Sequence, residues 1–306
     1  LRKKIVEHAL AQMQKNPSAD SVSMDPSDGG GWSESAESAR LGSITDQALT
    51  LANEVAEAIN KKFPGKLVGI YAYNYHSAPP AIKVHPRVIV SVATAFIKGG
   101  QSLEEILTGW AARGATLGIR EYYSVNTWDR DQPGHARGGN LDYLQRTIPD
   151  FHSKGARFMS AESSDNWGPN GLGYYFASRM LWNVEDAKSR AAIEKDFLER
   201  CFGPASDVMR DFYNQLDGSK PHLVVDDQLG RMFLALKKAQ ALSSDRSIQA
   251  RLDDLVLYTR YASLYHQYSQ ADGAKRQKAF EDLIRHAYRM RTTMMIHAYG
   301  LYRDLP

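Results

Sequence analysis

Five short runs rich in β-branched and aromatic residues, separated by amphipathic stretches, fill roughly the first half of the chain and constrain its fold more than any other feature. They read DSVSMDPSD (20–28), KLVGIYAYNYH (66–76), RVIVSVATAF (87–96), TLGIREYYSVNTWD (116–129) and ARFMSAE (156–162). Nearly continuous apolar runs of this length suit strands covered by helices on their outer surface. The intervening segments have helical spacing. Ile5, Ala9 and Met13 share one face of LRKKIVEHALAQMQKNP, and Leu49, Ala52, Val55, Ala56 and Ile59 share one face of SITDQALTLANEVAEAINKKFP. SLEEILTGWAARG and residues 140–153 supply two more helices. Strand–helix alternation with short connections predicts an α/β fold with a parallel sheet. An eight-stranded (β/α)₈ barrel takes about 250 residues. Five strands fit a partial TIM-type barrel lacking its amino-terminal strands. The alternative, an open doubly wound sheet, lacks the GxGxxG loop that usually marks its ligand site.

Beyond residue 172 the strand signals cease. GYYFASRMLWN, DAKSRAAIEKDFLERCFG and PASDVMRDFYNQLDG read as helices, followed by three longer ones near 225–242, 248–271 and 274–303. We therefore expect residues 1–183 to form the carboxyl-terminal part of a barrel and residues 184–306 an α-helical region packed on it, structural in role. Leu1 opens directly into a helical pattern without an initiator Met, so the chain reads as part of a longer one whose upstream portion carries further strands and any targeting signal.

Composition excludes several classes. With 38 basic and 35 acidic residues spread along the chain, net charge is +3 and no basic block marks a nucleic-acid surface. No run approaches the ~18 apolar residues of a membrane span. A single cysteine, Cys201, rules out an intramolecular disulfide framework or a cysteine-rich metal site.

In a parallel barrel, reactive groups sit at the carboxyl ends of the strands. Those ends supply Asp25 and Asp28, then Tyr73, Asn74, Tyr75 and His76, then Glu121, Tyr122, Tyr123, Asn126, Trp128 and Asp129, and finally Glu162, Asp165, Asn166 and Trp167. Carboxylates, amides and large aromatics recur, a mix suited to carbohydrate: flat C–H faces stack on Trp and Tyr, and hydroxyls require paired donors and acceptors. Glycosidic cleavage generally takes two carboxyl groups, which nominates Glu162 and Glu121 as catalytic. Tyr73, Tyr75, Asn126, Trp128, Asn166 and Trp167 are expected to position the sugar, with Asp25 and Asp28 as further substrate-binding carboxylates. No cofactor and no metal is implied.

Each residue also has a plainer reading. A carboxylate at a strand end is as often a helix cap or ion-pair partner; Asp25 and Asp28 suit a turn. Trp110 and Trp182 fall within predicted helices and read as core. His76, His85 and His135 lack metal-ligand spacing, although a metal-dependent hydrolase built on Asp25 and His76 stands as a rival. His266, His286 and His297, with Met294 and Met295, read as packing and surface. The main rival from another class is a non-catalytic carbohydrate-binding or scaffold protein on a barrel.

VSMDPSDGGGW, LANEVAEAINKKFPGKLVGIYAY, GARFMSAESSDNW, GYYFASRMLWN and EKDFLERCFGPASDVMRDFYNQL occur in an order that resembles the domain of unknown function 4838. The resemblance spans most of residues 1–217 and is weakest in the terminal helices. It implies a (β/α)₈ glycoside hydrolase similar to family 163, with endo-β-N-acetylglucosaminidase action on N-linked glycans, exported by bacteria that degrade glycoproteins or polysaccharides. In such an enzyme the substrate acetamide can serve as nucleophile, and a pair such as Asp25 and Asp28 then gains importance. Relatives place cysteines after the matching aspartates, where this chain has GGGWSES.

Overall fold

The computed structural model describes residues 1–220, 222 and 225–305. The chain divides into two compact units, residues 1–121 with 151–161 and residues 122–150 with 162–306.

The first unit begins with α1 (Arg2–Lys15), β1 (Ser21–Ser23) and the single turn α2 (Ala36–Ala39). It continues through α3 (Ile44–Lys62), β2 (Leu67–Asn74), β3 (Val88–Ile97), α4 (Leu103–Ala112) and β4 (Thr116–Tyr122). The five-stranded parallel sheet runs in the order β1-β2-β3-β4-β5, with β5 spanning Phe158–Glu162, and is curled into a half-barrel. Its register pairs Val22 with Val68, Ile70 with Val90 and Val92 with Ile119. One row of side chains faces the helices: Val68, Ile70 and Ala72, then Val88, Val90 and Val92, then Leu117 and Ile119. These are buried in one cluster with Ala52, Val55 and Ile59 of α3 and Ile106, Leu107 and Trp110 of α4. On the opposite face Gly118 is required, because a Cβ there would lie 2.1 Å from the Phe158 ring.

Local chemistry fixes the helix starts. Ser43 and Asp46 form a capping box on α3, and Ser102 with Glu105 does the same on α4. Asp46 also accepts from the Ala81 and Ile82 amides at 2.7 and 3.2 Å, tying the loop before β3 to the helix. Burial alone would raise its pKa, yet these bonds together with those from Ser43 hold it below the usual value.

The second unit is helical: α5 (Asn126–Asp129), most of α6 (Leu141–Ser153), α7 (Gly171–Trp182), α8 (Arg190–Phe202), α9 (Ser206–Leu216), α10 (Val225–Leu242), α11 (Arg246–Gln270), α12 (Gly273–Arg289) and α13 (Ala298–Asp304). Helices α9 to α12 pack each on the next. Gly173 lets α7 approach the 3₁₀ turn Arg137–Gly139, since a Cβ there would meet the Gly138 carbonyl oxygen at 1.7 Å.

Within DSVSMDPSD the strand covers only Ser21–Ser23, and the polar residues from Met24 onward form the loop after it. Two expectations need correction. The helix expected over 274–303 is broken, with α12 ending at Arg289 and α13 starting at Ala298. Met294 between them adopts φ 57°, a left-handed conformation that no helix interior accommodates. Trp182 is 92% exposed at the last turn of α7, where the helix runs out of partners, whereas Trp110 is fully buried and donates to the Ser77 carbonyl at 2.9 Å. No helix among the described residues is long and apolar enough to cross a membrane.

Candidate functional site

The loops after β4 and β5 are joined within the second unit by a hydrogen-bonded network. The Tyr123 and Ser124 amides both donate to the Glu162 carbonyl, at 2.8 and 3.1 Å. Ser124 Oγ donates to Asp129 Oδ2 at 2.7 Å and accepts from Asn166 Nδ2 at 2.9 Å. Tyr174 from α7 donates its hydroxyl to Asn166 Oδ1 at 2.8 Å. Asp129 Oδ1 accepts the Asp131 amide at 2.9 Å, while Asp131 Oδ2 accepts from Asn126 Nδ2 at 3.0 Å and from the His297 amide at 2.9 Å. The backbone at Arg130 and Asp131 is left-handed, with φ near 50° at both. Two fully buried tyrosines of α11 hold it there: Tyr261 donates to the Arg130 carbonyl at 2.7 Å and Tyr258 to the Asp131 carbonyl at 2.9 Å. Left-handed non-glycine residues persist only where surroundings over-determine them, and they cluster at working sites.

Burial sets the electrostatics. It raises the Asp129 carboxyl pKa against three hydrogen bonds that favour the charged form. For Asp131 burial dominates and the neighbouring Asp129 charge adds to it, so that carboxyl is pushed up to about 6. Burial likewise raises the Tyr174 hydroxyl, which therefore stays protonated and donates.

On the same loops two indoles face solvent, Trp128 at 46% and Trp167 at 54% exposure. Each has a tyrosine behind it: Tyr122 lies 5.5 Å from Trp128 and Tyr174 meets Trp167 edge-on at 5.0 Å. Glu162 is exposed and belongs to the Phe158–Ser160–Glu162 row of β5. The exposed indoles offer flat apolar faces on loops whose amide side chains are already hydrogen-bonded, and Glu162 leaves a carboxylate accessible at the end of β5.

The remaining expected site residues lie in the first unit. Glu121 is fully buried in the helix-facing row of β4 after Leu117 and Ile119, and its Oε1 accepts from Thr94 Oγ1 at 2.6 Å. Asp25 Oδ1 accepts the Tyr71 amide at 2.6 Å, which fastens the chain after β1 to β2. Tyr73 meets His76 and Phe96 edge-on at 6.3 and 5.8 Å, and Trp32 meets His76 at 5.5 Å. Burial lowers the pKa of His76 despite the opposing charge of Asp25, which favours the neutral ring. Lys98 Nζ lies 4.6 Å above the exposed Tyr75 ring. Asp28 stands in the exposed loop after β1. Asn74 and Phe96, both with positive φ, mark an irregular pairing at the carboxyl ends of β2 and β3. Among the described residues no group of three or more His, Cys, Asp or Glu side chains is arranged to hold a metal ion.

Reading the sequence missed Ser124, Asp131, Tyr258, Tyr261 and His297. Asp131 carried a local signal, as the second acid of Asp129-Arg130-Asp131 just past a strand end. The α11 tyrosines carried none, being more than 120 positions away. His297, expected as packing or surface, pairs its Nδ1 with Asp165 Oδ2 at 3.1 Å.

A curled parallel sheet whose strands end in loops rich in carboxylate, amide and aromatic side chains, with a helical region after it, defines a mixed α/β protein with its candidate site at strand ends. Within that class the chain belongs to the family described as a domain of unknown function (DUF4838), whose profile matches residues 1–214. Comparison with curated proteins gave no match.

Proposed function

We propose that the chain is part of a glycoside hydrolase acting on glycans, of the endo-β-N-acetylglucosaminidase type, and that its half-barrel is a portion of a (β/α)₈ barrel. The observation that carries this reading is the pair of exposed indoles, Trp128 and Trp167, on loops joined to each other through Ser124, Asn166 and Tyr174 and to the Glu162 carbonyl through the Tyr123 and Ser124 amides. Consecutive parallel strands in one curled sheet support the barrel.

Glu162 is the carboxyl that protonates the leaving glycosidic oxygen, with Trp128 and Trp167 stacking on the sugar. In the two-carboxylate form of the reaction its partner is Glu121. The burial of Glu121 favours a second form, in which the substrate acetamide attacks the anomeric carbon and Asp25 with Asp28 orients it. In either form Tyr73 and Tyr75 contribute to sugar binding.

The test is turnover of a chitobiose-core glycopeptide by the full-length protein. Glu162→Gln should reduce kcat by at least about a hundredfold, the usual scale for a general acid. Asp25→Asn below Glu121→Gln in activity selects the acetamide route, and the reverse order selects the carboxylate pair. Full turnover by Glu162→Gln refutes the assignment. Glycan binding by a wild-type protein that never cleaves identifies a non-catalytic carbohydrate-binding barrel instead.

A further inference from the structure

A second concave feature lies wholly within the helical unit. A cavity of about 810 Å³ opens between the end of α12, the 3₁₀ turn Arg291–Thr293 and α13. That volume falls within the range of small-molecule sites. Its wall includes Tyr288, Tyr299 and Tyr302, all more than 60% exposed, together with Arg285 and Arg291. Grouped exposed aromatics on a folded surface mark binding sites far more often than isolated ones do. The Arg291 guanidinium is held 4.0 Å over the Tyr288 ring and donates to the Tyr288 carbonyl at 2.7 Å, so its planar fork is oriented in advance. Asp165, the one carboxylate among the described residues of the wall, is engaged by His297.

The cavity is continuous with the Trp167 loop. Asp165 lines it, and two residues on, the Trp167 amide donates to the Asp165 carbonyl at 2.8 Å and to the Met294 carbonyl at 2.9 Å. One hydrogen-bonded segment therefore carries both the indole and the cavity wall.

We infer that this cavity is a subsite for an acidic sugar residue. Arg285 and Arg291 bind its carboxylate and the tyrosines stack on its ring, while the neighbouring sugar lies on Trp167. Two guanidiniums suit a planar carboxylate, and the exposed Tyr299 and Tyr302 rings, beside a Tyr288 ring covered on one face by Arg291, suit a pyranose; neither alone would select both parts. The inference rests on the glycan reading of the Glu162–Trp167 loop. Uronic and sialic acids share this chemistry, and the experiment separates them.

The full chain is titrated calorimetrically with 3′-sialyllactose against lactose, and with trigalacturonate against galactotriose, at low ionic strength. At least one acidic sugar should bind tenfold or more tightly than its neutral counterpart, and which one does so names the source. Arg285→Gln combined with Arg291→Gln should remove that preference, while Trp167→Ala weakens acidic and neutral sugars alike. Raising the salt should shrink the preference, as for any solvent-accessible charge pairing. Equal binding of acidic and neutral sugars overturns the inference and leaves the glycan reading standing. So does a preference that survives both arginine substitutions, or full displacement of the acidic sugar by equimolar inorganic phosphate. Binding of none of the four sugars also overturns the inference, while the glycan reading stands or falls with turnover of the chitobiose-core glycopeptide. Melting curves check that the variants fold, and if the double variant does not, Arg285→Gln alone, on an exposed side chain, carries the test.

Discussion

At Asp131 a carboxylate only 2% exposed accepts from Asn126 and His297 through Oδ2, while Oδ1 finds no hydrogen bond of good geometry. Its folded-state pKa is raised from 3.8 to about 6, so between those values the folded chain holds a proton that the unfolded chain has released. Stability contributed by this group therefore falls as pH rises through that window, by about 3 kcal/mol in all. The raised Asp129 acts in the same direction. Asp131→Asn, which keeps an acceptor and drops the charge, should raise the melting temperature at pH 7.5 and flatten its dependence between pH 5 and 7. A melting series across that range checks it; equal destabilisation at every pH would mean that the hydrogen bonds, not the charge, dominate. Asp131 is also the residue that brings His297 to the strand-end loops, so its environment and the site's shape are one problem.

At the scale of elements, α11 does for the loop after β4 what no residue of that loop does for itself. Tyr258 and Tyr261 hold the two carbonyls of a left-handed pair. Tyr261→Phe keeps the buried ring and removes one bond, so it should cost about 1 kcal/mol. It should also speed hydrogen exchange at Trp128 and Asp129 while leaving the β2 and β3 amides unchanged; uniform acceleration throughout would point to general loosening instead. Strands β2 to β5 and helices α1, α3 and α4 were legible in the sequence because each depends on its own period and caps. The break after Arg289 was not, since Met290, Met294, Met295 and Ile296 read as a continuing apolar face; the bonds from Trp167 to Met294 and from His297 to Asp131 that accompany the turn come from distant segments. Asn126, Asn166, Trp128 and Trp167 could be nominated because they follow strand ends. The network that fixes them depends on pairings across more than a hundred residues, and a single sequence records no such pairings. Glu121 shows the same limit in reverse: strand alternation places it in the row of Leu117 and Ile119, a fact available from parity alone but subordinate, in reading the sequence, to its place at a strand end.

For the whole molecule, the chain passes between the two units at 121–122, 150–151 and 161–162. Three covalent passages, one within α6 and two beside strand ends, mean that neither unit is a contiguous segment able to detach at a single linker. Thermal unfolding should therefore proceed as one transition, with calorimetric and van't Hoff enthalpies in agreement. Asp46→Ala in the first unit and Tyr261→Phe in the second should move that same transition; two resolved transitions, each moved by only one variant, would show independent units. The family profile ends at residue 214, yet Tyr258, Tyr261 and His297 lie beyond it and hold loops within it. Inheritance of the sheet and inheritance of the loops' shape are thus separable. Relatives that keep the first two hundred residues and exchange the last ninety can present the same side chains in a different pose, which gives a lineage a way to change what those loops recognise without altering the strands that carry them.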